Sequence, residues 1–385
     1  MTDLATAQGP LLSNDLRDAI RVHTAWQEEN RRTHPAVIEA LHADGHFAMR
    51  VPARHGGSEL SYRDVLERVA ALSRADGATG WVVAVSAITS WMVSTLPDEV
   101  QDEVFADGPV QTCGTLSPGG QVTEDGDDYL LNGRWQFISG APSSAWQTVI
   151  AVVETPQGLL PVLGVVPIGD LRLVDDWNTS GLRGSGSFTT IAQDVRVPRR
   201  NFVPLPAMLA EQYASASNAT TPVFTTPLVP TAAALSAGVA VGLAEAGLSA
   251  FLDRLPGRKI TYTAYDNQAE APVTHLALGE ASMLVDESRY QAQRLADMLD
   301  GSESWDVGRR VLARACLGRA CDLAHRSADV VNANSGGSSI YADVPVQRIA
   351  RDLHAMRMHA LIHPATNREL HGRVLAGLAP HTQYL

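Results

Sequence analysis

Tyr129-Leu-Leu-Asn132-Gly133-Arg-Trp135-Gln-Phe137-Ile-Ser139-Gly140 is the stretch on which the architecture turns. Its aromatic and branched residues read as β structure, and Asn132-Gly133 reads as a hairpin turn because both residues tolerate positive φ. Further β-rich runs follow at Val149–Val153, Leu160–Val166 and Phe188–Ile191, each bounded by turn residues. No helical pattern alternates with them, so a parallel dinucleotide-binding sheet is not expected.

Both flanks read as helical. Upstream, Ser61-Tyr-Arg-Asp64 has the form of a capping box, with Val65, Leu66, Val69 and Leu72 at helical spacing behind it. Trp81 to Val93 is apolar nearly all round, which makes it a core helix closed by Pro97. Pro52–Gly57 is a loop by its proline and glycine content. Downstream of a Ser/Ala/Thr-rich linker at 214–221, four long helices are expected at 231–255, 272–300, 305–334 and 344–376. Gly301, Gly336-Gly337 and Gly377 stand where helices stop. The expected organisation is an N-terminal α-helical domain over 1–108, a middle β domain over 109–213 and a C-terminal four-helix bundle over 214–385.

Composition narrows the function. Of 385 residues, 45% are hydrophobic and 19% charged, which suits a well-buried globular chain. The net charge of −12 and the lack of a Lys/Arg cluster argue against a nucleic acid partner. Three cysteines with no CxxC pair fit a reducing compartment, so the cytoplasm is expected. The N-terminal stretch Met1–Leu16 has no apolar core of signal-peptide length. Thr220 to Ala244 carries no charge, but Pro222, Pro227 and Pro230 leave fewer than the roughly 20 residues a bilayer crossing needs before Glu245. It reads as a buried helix, not a membrane span.

Few motifs carry chemistry by themselves. Gly181-Leu-Arg-Gly184-Ser-Gly186-Ser precedes a β run rather than a helix, so it lacks the helix N-terminus of a phosphate cradle and reads as a tight turn. His359 and His363 are four apart on the expected last helix. Ala-Leu-Ile between them supplies no glutamate of the HExxH kind, and Pro364 opposes helix there, so no metal site is expected. His359 alone is a candidate acid or base. No GxSxG elbow, P-loop or EF-hand sequence occurs. Trp135, Phe137, Trp146 and Trp177 all fall in the β segment, as core or as the wall of a site for a flat aromatic ligand.

These pieces, in this order, resemble the acyl-CoA dehydrogenase superfamily. Gly45-His-Phe-Ala-Met-Arg-Val51-Pro52 with Gly56-Gly57 is similar to its N-terminal helical domain, and Gly133–Gly140 to the strand that lies along the flavin. Asp176-Trp177 through Ser187, with Val195-Arg-Val197-Pro198, resembles the end of its β-barrel-like middle domain. Val346-Gln-Arg-Ile-Ala-Arg351-Asp352 through His359 resembles the final helix. Where acyl-CoA dehydrogenases of the common type place a catalytic glutamate, this chain has Ala360. A histidine seven residues after Arg351-Asp352's aspartate, with Trp-x-Phe-x-Ser-Gly, is instead similar to the flavin-dependent monooxygenases of this fold.

The resemblance implies a two-component hydroxylase acting on a phenolic or polycyclic aromatic substrate through a flavin 4a-hydroperoxide. A separate reductase would supply reduced FMN, with FAD as the alternative, and molecular oxygen would be co-substrate. His359 would be the base that deprotonates the phenol. Ser139 would hydrogen-bond the flavin near N5, Ser117, Trp135, Phe137 and Trp177 would contact it, and Arg258 would bind its phosphate, across a subunit border in a homotetramer. Contributions from His363 and Ser143 stay open. Alternatives on the same fold are oxygenation at nitrogen or sulfur, and an FAD-dependent acyl-CoA dehydrogenase with its base on another helix. A helical interaction module without enzymatic activity is the alternative outside enzymology.

Overall fold

Side-chain caps set the helix starts in the computed structural model, which describes residues 11–385; the segment read for an export signal lies, up to Pro10, outside the described residues. α1 (Asn14–Asn30) opens on Ser13 and α2 (Pro35–Ala43) on His34. α3 (Tyr62–Ala75) opens on Ser61, whose hydroxyl accepts from the Asp64 N–H at 3.0 Å, as the capping-box reading requires. α4 (Gly77–Val93) opens on Asp76 and is buried along nearly its whole length. It stops at Ser94, and Pro97 opens the short α5 (Asp98–Val104) instead of closing α4.

Seven strands follow: β1 (Thr112–Asp125), β2 (Asp128–Ile138), β3 (Trp146–Thr155), β4 (Gly158–Pro167), β5 (Arg172–Val174), β6 (Phe188–Pro198) and β7 (Phe202–Pro204). They form one sheet in the order β5-β6-β2-β1-β3-β4-β7, antiparallel except for the β1–β3 pair.

The hairpin expected at Asn132-Gly133 is not there. β2 runs straight through both residues, and the turn is the two-residue loop Gly126-Asp127 between the paired Asp125 and Asp128. Gly126, at φ 63, supplies the positive φ such a loop needs at its first position. Gly133 serves packing instead. A Cβ there would lie 2.6 Å from the Gly120 Cα and 2.6 Å from the Trp135 ring, so the glycine lets β1 and β2 close under that indole.

After α6 (Leu205–Leu209), the helices return as α7 (Leu228–Arg254), α8 (Pro272–Asp300), α9 (Val307–Asn334), α10 (Pro345–Arg357) and α11 (Pro364–Leu375). α7 is central, touching α3, α4, α8, α9 and α10. By length and composition it passes as a membrane span, yet most of its apolar window is buried against these neighbours.

The single last helix expected over 344–376 is two helices. Proline cannot donate, and it forces the preceding residue out of helical conformation. His363 accordingly takes φ −47, ψ 115 and becomes the N-cap of α11. His359 therefore lies in the turn between α10 and α11, and the two histidines do not share a helical face.

Candidate active site

Trp81 sits in the second turn of α4. That helix is anchored by Asp76, whose carboxylate accepts from the Thr79 N–H at 2.9 Å and the Thr79 hydroxyl at 2.7 Å. A large indole in an apolar helix still carries one N–H that needs a partner when buried. It finds the Ser139 Oγ at 2.8 Å, just past the end of β2. The same ring stands edge-on to His359, with centroids 5.4 Å apart and planes at 66°. One side chain from the N-terminal helices thus joins the sheet to the α10–α11 turn.

The hydroxyl of Ser139 belongs to a chain of three. Ser139 Oγ lies 2.7 Å from Ser187 Oγ, which lies 2.7 Å from Ser185 Oγ. Indole can only donate. Ser185 is closed to solvent, and Ser187 is the sole hydrogen-bond partner of its hydroxyl among the described residues, so its proton goes there. The opposite polarity would leave a buried hydroxyl proton unpaired, at about 1–3 kcal/mol. Ser187 then donates to Ser139. Ser139 receives from both Trp81 and Ser187, and its own proton has no acceptor among the described residues.

Close by, β2 departs from regular geometry. Its pairing with β6 shifts register between Trp135 and Ile138, and Phe137 takes φ 64. A bulged aromatic at positive φ stores about 1–3 kcal/mol and is a feature of sites rather than of cores. The bulge turns Phe137 outward, 67% exposed, while Trp135 and Ile138 point in. Trp177 meets Phe137 edge-on at 6.1 Å, its indole N–H held by the Leu182 carbonyl at 3.0 Å.

His359 has accessible surface, yet burial among surrounding protein lowers its imidazole below the usual histidine range. Its Nδ1 accepts the Leu361 N–H at 3.3 Å. A neutral imidazole with Nδ1 accepting carries its proton on Nε2. His359 thus presents a donor, and its hydrogen-bond and ring neighbours (Met356, Leu361, Ile362, His363 and Trp81) include no carboxylate.

Exposed Phe137, half-buried Trp177 and the unspent proton of Ser139 fit a flat ring with acceptor atoms on its edge. Models of the acyl-CoA dehydrogenase N-terminal domain and C-terminal domain match residues 16–107 and 234–364. The chain belongs to the acyl-CoA dehydrogenase family. Among its relatives, the oxygenase component of an FADH2-dependent resorcinol hydroxylase from Rhizobium sp. (strain MTP-10005) is 28% identical, over 95% of this chain and 93% of the relative. The flavin-dependent monooxygenase oxygenase subunit HsaA of Rhodococcus jostii (strain RHA1) is also 28% identical, over 94% and 97%. The crystal structure of 3-HSA hydroxylase from Rhodococcus sp. RHA1 superposes with a TM-score of 0.89 at 26% identity, covering 96% of this chain and 97% of that one.

For this acyl-CoA dehydrogenase-family chain, the other residues named from sequence separate into groups. Trp135 belongs to the core: it is 1% exposed, with its N–H on the Ile150 carbonyl at 3.0 Å, and offers no face to a ligand. Ser117 is exposed in the irregular part of β1, its N–H on the Thr115 hydroxyl. Arg258 follows the C-terminal end of α7 beside Arg254 and Gly336, outside the contacts that join Trp81, Ser139 and His359. Ser143 bonds the Gly140 carbonyl, and His363 caps α11 through Nδ1, so that nitrogen is occupied. Sequence reading missed Trp81, Ser185 and Ser187. Only the unpaired N–H of a tryptophan in an apolar helix hinted at the first.

A separate groove of about 2400 Å³ opens between α1, α3, α8 and the start of α10. Charged pairs such as Arg289–Glu67 and Arg351–Glu28 line it, and Trp81, Ser139 and His359 do not.

Proposed function

We propose that this chain is the oxygenase component of a two-component system that hydroxylates a phenolic or polycyclic aromatic substrate. The observation that carries the reading is Trp81, which holds Ser139 and His359 on one site where the family's catalytic carboxylate is replaced by Ala360. The relatives' names add weight: one is a resorcinol hydroxylase and one a flavin-dependent monooxygenase subunit.

In this proposal Phe137 and Trp177 pack against the flavin ring, Ser139 donates to an acceptor on its edge, and the Ser117 segment of β1 lines the same ligand. When bound, the reduced flavin supplies two electrons, so that one oxygen atom of dioxygen enters the substrate and the other leaves as water. The base expected at position 359 becomes a donor. Nε2–H of a neutral imidazole binds the oxygen of a substrate that has lost its proton to solvent on entry, and stabilises this phenolate, which is the better nucleophile. The apolar wall of α4 keeps water out. Arg258, beside Arg254, whose Nε has no partner among the described residues, is proposed to bind the flavin phosphate of a neighbouring copy in a homotetramer.

FMN is the proposed flavin. Titrating the protein with FMN and FAD in parallel decides, and tighter binding of FAD replaces it. The reading itself is tested with reduced flavin from an unrelated reductase, ¹⁸O₂ and a panel of phenols, indoles, amines and thioethers. Label in a hydroxylated ring is expected. Label only on nitrogen or sulfur would move the chemistry to those substrates, and thioester oxidation without oxygen would return the chain to acyl-CoA dehydrogenation.

A further inference from the structure

Leu182 is gripped from both sides. Its N–H donates to Asp352 Oδ1 at 2.6 Å, and its carbonyl accepts the Trp177 indole N–H at 3.0 Å and the Ser185 N–H at 3.1 Å. The residue lies at φ 51, a conformation leucine rarely adopts unless something fixes it. Asp352 is that fixture. It projects from α10, is buried, and bonds across to a segment 170 residues earlier in the chain.

The surrounding contacts leave no slack. A Cβ on Gly181 would overlap the Arg351 carbonyl, so the segment lies directly on α10. A Cβ on Gly77 would lie 3.2 Å from Asp352 Oδ2, so the first turn of α4, one turn before Trp81, packs on the same carboxyl. Burial lifts the Asp352 carboxyl to about 7 against the opposing hydrogen bond from Leu182 N–H, with Asp76 and Glu28 adding to the rise and Arg348 against it. Such a buried carboxyl is costly to keep, and its bond to Leu182 is the return on it.

We infer that Asp352 is a positioning residue that sets the spacing between the two walls of the site. It pins the segment bearing Trp177, Ser185 and Ser187 to α10, the helix that leads into the turn carrying His359. This rests on the proposed flavin site, because Trp177 and the serine chain matter only if a ligand lies against them.

Two variants and two measurements test it. Asp352→Asn keeps a carbonyl acceptor for Leu182 N–H, whereas Asp352→Ala removes it. Hydrogen exchange of the Leu182 amide is followed without ligand, and FMN and FAD affinities by fluorescence quenching. In Asp352→Ala, exchange about tenfold faster and flavin binding about tenfold weaker are expected, as for loss of one buried hydrogen bond. Asp352→Asn should stay within about threefold of the parent on both measures. Unchanged exchange and affinity in Asp352→Ala would overturn the inference. So would an Asp352→Asn protein whose Leu182 amide loses protection, an outcome readable even if the alanine variant does not fold. A parent protein that binds no flavin would sink the functional reading while leaving the exchange result intact.

Discussion

The indole N–H of Trp81 meets Ser139 Oγ at 2.8 Å while the same ring stands 5.4 Å from His359, so a single side chain spaces the two polar residues of the site. Trp81→Phe keeps a ring against His359 and removes only the N–H. Hydroxylated product per oxygen consumed should fall about 3- to 10-fold, with hydrogen peroxide rising to match, while stability drops by about 1 kcal/mol. An unchanged product-to-peroxide ratio would assign Trp81 to packing alone.

His359→Gln places an amide N–H near the position of Nε2–H, and His359→Ala places nothing there. A donor role expects the glutamine variant to retain about ten times the kcat/KM of the alanine variant, the worth of about 1.4 kcal/mol in the transition state. Equal loss in both would restore the imidazole as a base.

Asp352 gives stability a pH dependence of known sign. Its carboxyl is raised from 3.8 to about 7 in the fold, chiefly by burial, so the native state holds a proton that the unfolded chain has released. Stability therefore falls as pH rises through that window, by up to about 1.4 kcal/mol per pH unit. Asp352→Asn removes this slope. In urea melts from pH 5 to 8, the stability of the asparagine variant relative to the parent should climb until about pH 7 and then level; a constant difference would contradict it. His359 acts oppositely: because its value in the fold is lowered, stability declines as pH falls below 6.5 towards that lower value.

Gly181→Ala forces a methyl group into the Arg351 carbonyl. A cost of about 1–3 kcal/mol is expected, measured as a lower urea midpoint with an unchanged slope. A neutral result would mean that the segment can lift from α10 without penalty.

The helices were legible where capping and periodicity agree, as at Ser61 and along α8, whose bounds 272–300 were read from sequence. The β segment was legible by its branched residues, but its first turn was not. Asn132-Gly133 carries the strongest local turn signal, yet Gly133 is needed beneath Trp135, and tertiary packing overrides local preference. Pro364 announced the break before α11, and a helix drawn through it put His359 and His363 on one face wrongly. The resemblance to the family led to Ser139 and His359. Trp81, Ser185, Ser187 and the Asp352–Leu182 bond stayed hidden because each depends on a contact across the chain that no local pattern encodes.

The most direct test of the account is a crystal structure of the protein with reduced flavin, grown without oxygen. The account expects the ring against Phe137 and Trp177, an acceptor atom of the flavin within hydrogen-bond distance of Ser139 Oγ, and His359 Nε2 facing the space beside the ring. Flavin bound in the charged groove between α1 and α8, or a Ser139 hydroxyl that touches only Trp81 and Ser187, would contradict it.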